Sequence, residues 1–325
     1  MCKYLFLKII LFTTAFALVV IVVGAFVRLT NAGLGCPDWP GCYGQPTPAH
    51  AAQDIAKAVA EQGGTHGPVS AQKAWHEMGH RYLAGSLGLL IFAIAVMAWL
   101  HRSSPWLATA LLVLVMFQAA LGMWTVTLLL KPVIVTLHLL GGMATLALLT
   151  WLALRQLQWR DAAAASLRPW ALLGLVLLIA QIALGGWVST NYAALACIDL
   201  PTCHGEWAPR MDFQHGFQLL RELGQTAAGD KLSYHALTAI HWTHRVGAVV
   251  VTLYLASLAV VASRVVAVRG IAIVVGLLLV AQITLGVSNI FTGLNLTVAV
   301  AHNAGAALLL VALVVLNFAL SERPR

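Results

Sequence analysis

The sequence predicts an all-α membrane protein whose eight transmembrane helices form two pseudo-symmetric four-helix bundles. Three observations carry that prediction. Of 325 residues, 60% are hydrophobic and 9% charged, a balance outside that of ordinary soluble domains. Eight apolar runs are each long enough to cross a bilayer core, which takes about 20 helical residues. Finally, four histidines return in register: His80 and His138 are followed 164 residues later by His244 and His302.

The apolar runs fall at 8–28, 76–100, 106–129, 133–154, 169–190, 238–262, 270–291 and 297–319. The first is longer than a signal-peptide core and no cleavage site precedes the first long loop, so it reads as a retained span. Charge then sets orientation. Lys3, Lys8, Arg102, Arg155, Arg160, Arg168, Arg264, Arg269, Arg323 and Arg325 fall in the tails and short loops, offset only by Asp161 and Glu322. Short basic loops stay inside. Both termini are therefore expected in the cytoplasm of a bacterial inner-membrane protein, with the long loops 29–75 and 191–237 periplasmic. The net charge of +8 is a topology signal and implies no nucleic-acid partner.

Within the long loops, 53–62 and 213–224 read as short amphipathic helices at the interface. Cys36 and Cys42 share the first loop and Cys197 and Cys203 the second, each pair spaced C-x5-C on the oxidising side where disulfides persist. Two local bridges, Cys36–Cys42 and Cys197–Cys203, are the simplest pairing; a zinc site built from all four is the alternative. Cys2 is expected to be a free cytoplasmic thiol.

The repeat extends past the histidines. Arg81 recurs as Arg245, Gln118 as Gln282, Leu121-Gly122 as Leu285-Gly286 and Gly141 as Gly305. The cysteines repeat at an offset of 161, so the second long loop holds a three-residue insertion. Four helices per unit make the repeat parallel, with its pseudo-two-fold axis along the membrane normal. The units are 1–154 and 155–325, joined by an Arg- and Ala-rich segment at 155–168. Gln118, Gln181 and Gln282 each precede a leucine and a glycine in one pattern, Gln-x-x-Leu-Gly. Its plainer meaning is close helix packing; the alternative is room for a flat macrocycle.

Glu77 and His80 are three apart and share a helix face. His138 lies at similar depth on another helix of the unit, and His244 and His302 repeat the arrangement. Ionisable groups in a membrane cost about 2.5–3.5 kcal/mol when charged and tend to be functional. Two opposed imidazoles suit a six-coordinate haem iron standing edge-on between helices. Arg81 and Arg245, next to their histidines, are placed either for haem propionates or for snorkelling to headgroups; a Glu77–Arg81 pair is a further option. Glu77 is matched by His241, so the repeat breaks there. A carboxylate can accept protons during an oxidation, which assigns chemistry to the first unit and electron relay to the second. His50, His66, His76, His204, His215, His235 and His241 are read as solvated or supporting residues.

These residues carry a family likeness. The run Leu29-Thr30-Asn31-Ala32-Gly33-Leu34-Gly35-Cys36-Pro37-Asp38-Trp39-Pro40-Gly41-Cys42, with Glu77-x-x-His80-Arg81, His138, His244-Arg245 and His302, resembles the haem A synthase family along essentially the whole chain. The resemblance implies oxidation of the C8 methyl of haem O to a formyl group, through an alcohol and its hydrate, to give haem A for terminal oxidases. It implies haem O held near His80, His138 and Arg81 with Glu77 in the reaction, and a haem b cofactor on His244 and His302 with Arg245. It implies activity or haem handling for Cys36–Cys42 and a structural bridge for Cys197–Cys203. A haem O-producing farnesyltransferase and a membrane electron acceptor or quinone are the implied partners, and a homo-oligomer is compatible with it. From the residues alone, a bis-histidine b-type electron carrier and a haem-delivery protein are the alternatives.

Overall fold

The computed structural model describes residues 2–62, 69–157 and 166–321, and the side chains of Cys2 and Lys3 lie outside that description. His66, Arg160, Asp161, Glu322, Arg323, Arg325 and most of the expected joining segment also lie outside it. Among the described residues the regular structure is helical, and eight helices are long and apolar enough to cross a membrane. They are α1 (Cys2–Leu29), α3 (Ala71–Leu100), α4 (Pro105–Thr127), α5 (Pro132–Leu157), α6 (Arg168–Thr190), α8 (Tyr234–Ser263), α9 (Arg269–Phe291) and α10 (Leu296–Ala319). Two short helices, α2 (Ala52–Glu61) and α7 (Phe213–Gly216), lie in the long loops. The chain is a multi-pass membrane protein.

The helices after the long loops begin a turn or more before their apolar runs, for a local reason. Ser70 caps α3 by accepting the Lys73 amide, and Ser233 caps α8 by accepting the Ala236 amide. Each cap satisfies backbone donors that the first turn leaves unpaired, so the polar turn becomes helical although apolarity alone reads it as loop. Prolines at the starts of α4, α5 and α6 set the other beginnings.

The expected helix over 213–224 is a single turn. Its chain leaves the helix after Gly216, whose carbonyl accepts the indole N–H of Trp187 at 2.9 Å. A Cβ at Gly216 would come 2.9 Å from the carbonyl oxygen of Ala236, so only glycine allows this close approach. Arg221 then turns inward, bonding Asn191 and lying over Trp187. Tertiary anchoring of that arginine and glycine overrides the local amphipathic pattern.

Helix neighbours recur. α1 packs on α3 and α5 as α6 packs on α8 and α10; α4 lies between α3 and α5 as α9 lies between α8 and α10. α1 meets α10 and α5 meets α6, and α5 and α10 pack on each other in the middle. Away from the long loops, the helices share one apolar core that includes Phe6, Ile10, Leu149, Leu152 and Leu313, with Phe318 fully buried beside it. Asn317 crosses it, donating to the carbonyl of Ala171 at 3.0 Å. At the other end Arg28 donates to the carbonyl of Ser189 at 2.7 Å, and Tyr192 donates to Asn31 at 2.9 Å.

The long loops are stapled. Cys36–Cys42 and Cys197–Cys203 are disulfides, which removes the zinc alternative. The first packs with Ile55 of α2 against Ala74 and Met78 of α3. Each closes a hairpin that a carboxylate organises: Asp38 accepts the amides of Tyr43 and Gly44, and Asp199 accepts those of His204 and Gly205 and the Thr202 hydroxyl. That hydroxyl, then the Gly205 and His204 amides, hold the Asp199 carboxyl well below the usual range. The lowered folded-state value makes the carboxylate's contribution complete above the ordinary aspartate pKa of about 3.9 and lost as pH falls through the lower value. Melting temperatures of the unaltered protein and Asp199→Asn should therefore differ at neutral pH and converge only below about pH 4; convergence already at pH 5 would contradict this.

Candidate functional site

All four repeated histidines sit toward the long-loop end of their helices: His80 on α3, His138 on α5, His244 on α8 and His302 on α10. Each ring lies over a glycine of the preceding long helix, Gly24, Gly122, Gly185 and Gly286 respectively. Each of these glycines is five residues before the end of its own helix. A Cβ there would stand 2.9 Å from Cε1 of His80, 3.2 Å from that of His138, and 3.1 Å from those of His244 and His302. The rings occupy the space that a side chain would fill. His80 is near enough to His138, and His302 to His244, for a charge on one ring to act on the other, which groups the four into two pairs.

Sequence reasoning found the four imidazoles and missed the glycine floor of the first. The signal was present: Gly24 precedes Gly185 by the same 161 residues that separate the cysteine pairs. Nδ1 of His80, His138 and His302 is buried without a hydrogen-bond partner. Gln118 donates through Nε2 to the carbonyl of His138 at 2.6 Å, and Gln181 donates to the carbonyl of His244 at 2.9 Å while lying 3.0 Å from its Nδ1. Gln282 Nε2 is 3.5 Å from Nε2 of His302. The glutamine pattern therefore serves the histidines as well as packing.

Glu77 is buried, at 4% exposure, and links helix to loop. One oxygen accepts the Cys36 amide at 2.9 Å and the other accepts Arg81 at 2.5 Å. In the second unit His241 takes that place, accepting the Cys197 amide through Nδ1 at 3.1 Å. His241 is thus buried and structural, one of the supporting roles expected of it. Arg81 also donates to the carbonyls of Asp38 and Gly41 at 2.8 and 2.6 Å; Arg245 donates to those of Cys197, Asp199 and Thr202 at 2.6–3.0 Å. Both guanidinium groups hold the disulfide loops onto the helices, a use that neither the propionate nor the headgroup reading anticipated. The Glu77–Arg81 pair is present, and it is buried rather than surface-exposed.

A family model described as COX15-CtaA, cytochrome oxidase assembly protein, matches residues 8–314. A protein of Shewanella oneidensis named heme A synthase is 41% identical over 314 residues, 94% of this chain and 94% of its own. Others so named, from Rhizorhabdus wittichii and Methylobacterium radiotolerans, are each 30% identical over 90% and 89% of this chain, and 88% and 82% of their own. The chain belongs to the haem A synthase family.

The residues present fit a haem. A haem iron takes one nitrogen from each side of the ring, and this family member offers paired, buried imidazoles with ring nitrogens that no protein group satisfies. Among the described residues no group of three or more His, Cys, Asp or Glu side chains is arranged to hold a bare metal ion. Elsewhere His204 bonds the Ala196 carbonyl at 2.9 Å, His215 bonds Asp212 at 2.7 Å, His50 bonds Thr47 at 2.6 Å and His76 packs edge-on against Phe26.

Because the ring of His244 fills the space over Gly185, Gly185→Val should displace it. The purified variant is expected to hold less than half the haem of the unaltered protein by pyridine haemochrome. Full haem content would show that the glycine is a packing residue only.

Proposed function

We propose that the protein oxidises the C8 methyl of haem O to a formyl group, yielding haem A, with haem b as resident cofactor. His80 and His138 would hold the substrate haem in unit 1–154, and His244 and His302 the cofactor haem in unit 155–325. The observation that carries this reading is the pairing of four glycine-seated imidazoles in a chain of this family, with a buried carboxylate three residues from only one of them. The name of the Shewanella oneidensis relative supports the same activity.

Haem b, when bound, supplies a carrier for the electrons that the oxidation releases. The remaining work falls to the chain. The opposed imidazoles orient the ring between helices. Glu77 is the one acidic side chain buried among the described residues, and it takes up a proton at a carboxylate oxygen as the methyl group loses hydrogen. Its ties to Cys36 and Arg81 hold that oxygen in place and close the outer end of the helix pair. The stapled loops shield both pairs from water.

Two units related by an axis along the membrane normal are supported by Arg28 meeting Ser189 and Asn31 meeting Tyr192, since each residue meets its own counterpart 161 positions on. The basic short loops support an orientation in the bacterial inner membrane with the disulfide loops periplasmic. A haem O-producing farnesyltransferase and a membrane quinone or other acceptor complete the reaction's surroundings.

The test is Glu77→Gln, which keeps an acceptor for the Cys36 amide and loses the proton site. Haem A formation should fall by about 100-fold or more, the scale of general acid–base catalysis, with bound haem unchanged. Undiminished haem A formation would favour a plain electron carrier.

A further inference from the structure

Three of the four histidines stand in one repeated setting and the fourth does not. On α4, α6 and α9 the helix facing the histidine carries Gln118, Gln181 and Gln282, each four residues before the glycine under the ring. On the histidine's own helix a glycine follows three residues later: Gly141, Gly247 and Gly305. The two features need each other, because the amide oxygen of each glutamine lies against that glycine, where a Cβ would overlap it. All three amide oxygens are buried without a hydrogen-bond partner. Around His80 both halves are replaced together: α1 has Val20 where the others have glutamine, and α3 has Leu83 where the others have glycine. Val20 is buried, and Leu83 packs against the same apolar core. The glycine floor remains, as Gly24.

Resting on the reading of the four histidines as haem ligands, we infer that the three glutamine–glycine pairs hold His138, His244 and His302 as firm ligands. Val20 and Leu83 leave His80 the readily released one, the side on which substrate haem is exchanged. A ligating imidazole holds a metal more firmly when a neighbouring group fixes its position and orientation. Each glutamine supplies that neighbour through Nε2: Gln118 on the backbone carbonyl of His138, Gln181 on the carbonyl and Nδ1 of His244, and Gln282 beside the ring of His302. Near His80 the matching position on α1 offers only the methyl groups of Val20. The distribution suits the two tasks. A resident cofactor needs both ligands firm, and His244 and His302 each have a glutamine. A substrate needs one firm ligand to define its pose and one that lets go, and the first pair has that inequality. The glutamines are positioning residues here, acting through the imidazoles.

The experiment follows haem transfer from the purified, haem-loaded protein in detergent to apomyoglobin, by absorbance. Two phases are expected, the faster belonging to the first pair and identified by its absence in His80→Ala. Val20→Gln combined with Leu83→Gly, which installs the missing pair, should slow that phase by about tenfold or more, the scale of supporting-shell effects on metal affinity. The reciprocal exchange, Gln181→Val with Gly247→Leu, should speed the slower phase by a similar factor, and Gln181→Leu alone should do so in the same direction. Unchanged rates in Gln181→Leu, or a faster phase assigned to the second pair, would overturn the inference. If His80→Ala and His244→Ala both retain the full complement of bound porphyrin, the assignment of the histidines as haem ligands fails instead.

Discussion

A neutral imidazole buried in an apolar bundle must be given both room and a partner, and the architecture at the long-loop end provides the room four times. Room comes from a glycine one turn and a half from the end of the preceding helix, so that two helices approach closely enough for the ring to lie on bare backbone. For three of the four, polar company comes from a glutamine of the neighbouring helix. Close helix approach and the placement of the loops follow from this local need. The rest of the bundle has no comparable demand, and it packs as a continuous apolar core of Leu, Ile, Ala and Phe.

The loops are tied to this arrangement by charge that never reaches solvent freely. Glu77 and Arg81 form an ion pair of low exposure whose remaining hydrogen-bonding capacity is spent on the backbone around Cys36–Cys42. A buried pair of this kind contributes little net stability by itself, because desolvation offsets the attraction. Its value is positional. It fixes a stapled loop over one pair of histidines, and His241 with Arg245 fixes the other by different chemistry at the same place. The exchange of carboxylate for imidazole changes what that position can do with a proton and leaves its architectural role intact.

Several features were readable from the chain before any fold. Apolar runs locate the spans because a bilayer allows few ways of satisfying a backbone. The histidine frame is readable because polar residues stand out in such runs. Glu77 is readable because it breaks a repeat. Other features were not. The starts of α3 and α8 depend on Ser70 and Ser233 as caps, which apolarity does not see. The stretch after Gly216 has an amphipathic pattern but gives up its helix to seat Arg221. Arg81 and Arg245 also donate to loop carbonyls that only folding brings near.

By itself, then, the amino-acid order determined the membrane class, the eight spans, the internal repeat, the cysteine pairs and the histidine frame. Those properties are set by composition, period and spacing, all of which are local or repeat at fixed intervals. Tertiary structure decided which glycine lies beneath which ring, which amide reaches which histidine and where each guanidinium is spent. Such facts depend on which helices become neighbours and at what rotation. Pairings of that sort join residues far apart in the chain, and no pattern along one helix encodes the face that its neighbour presents.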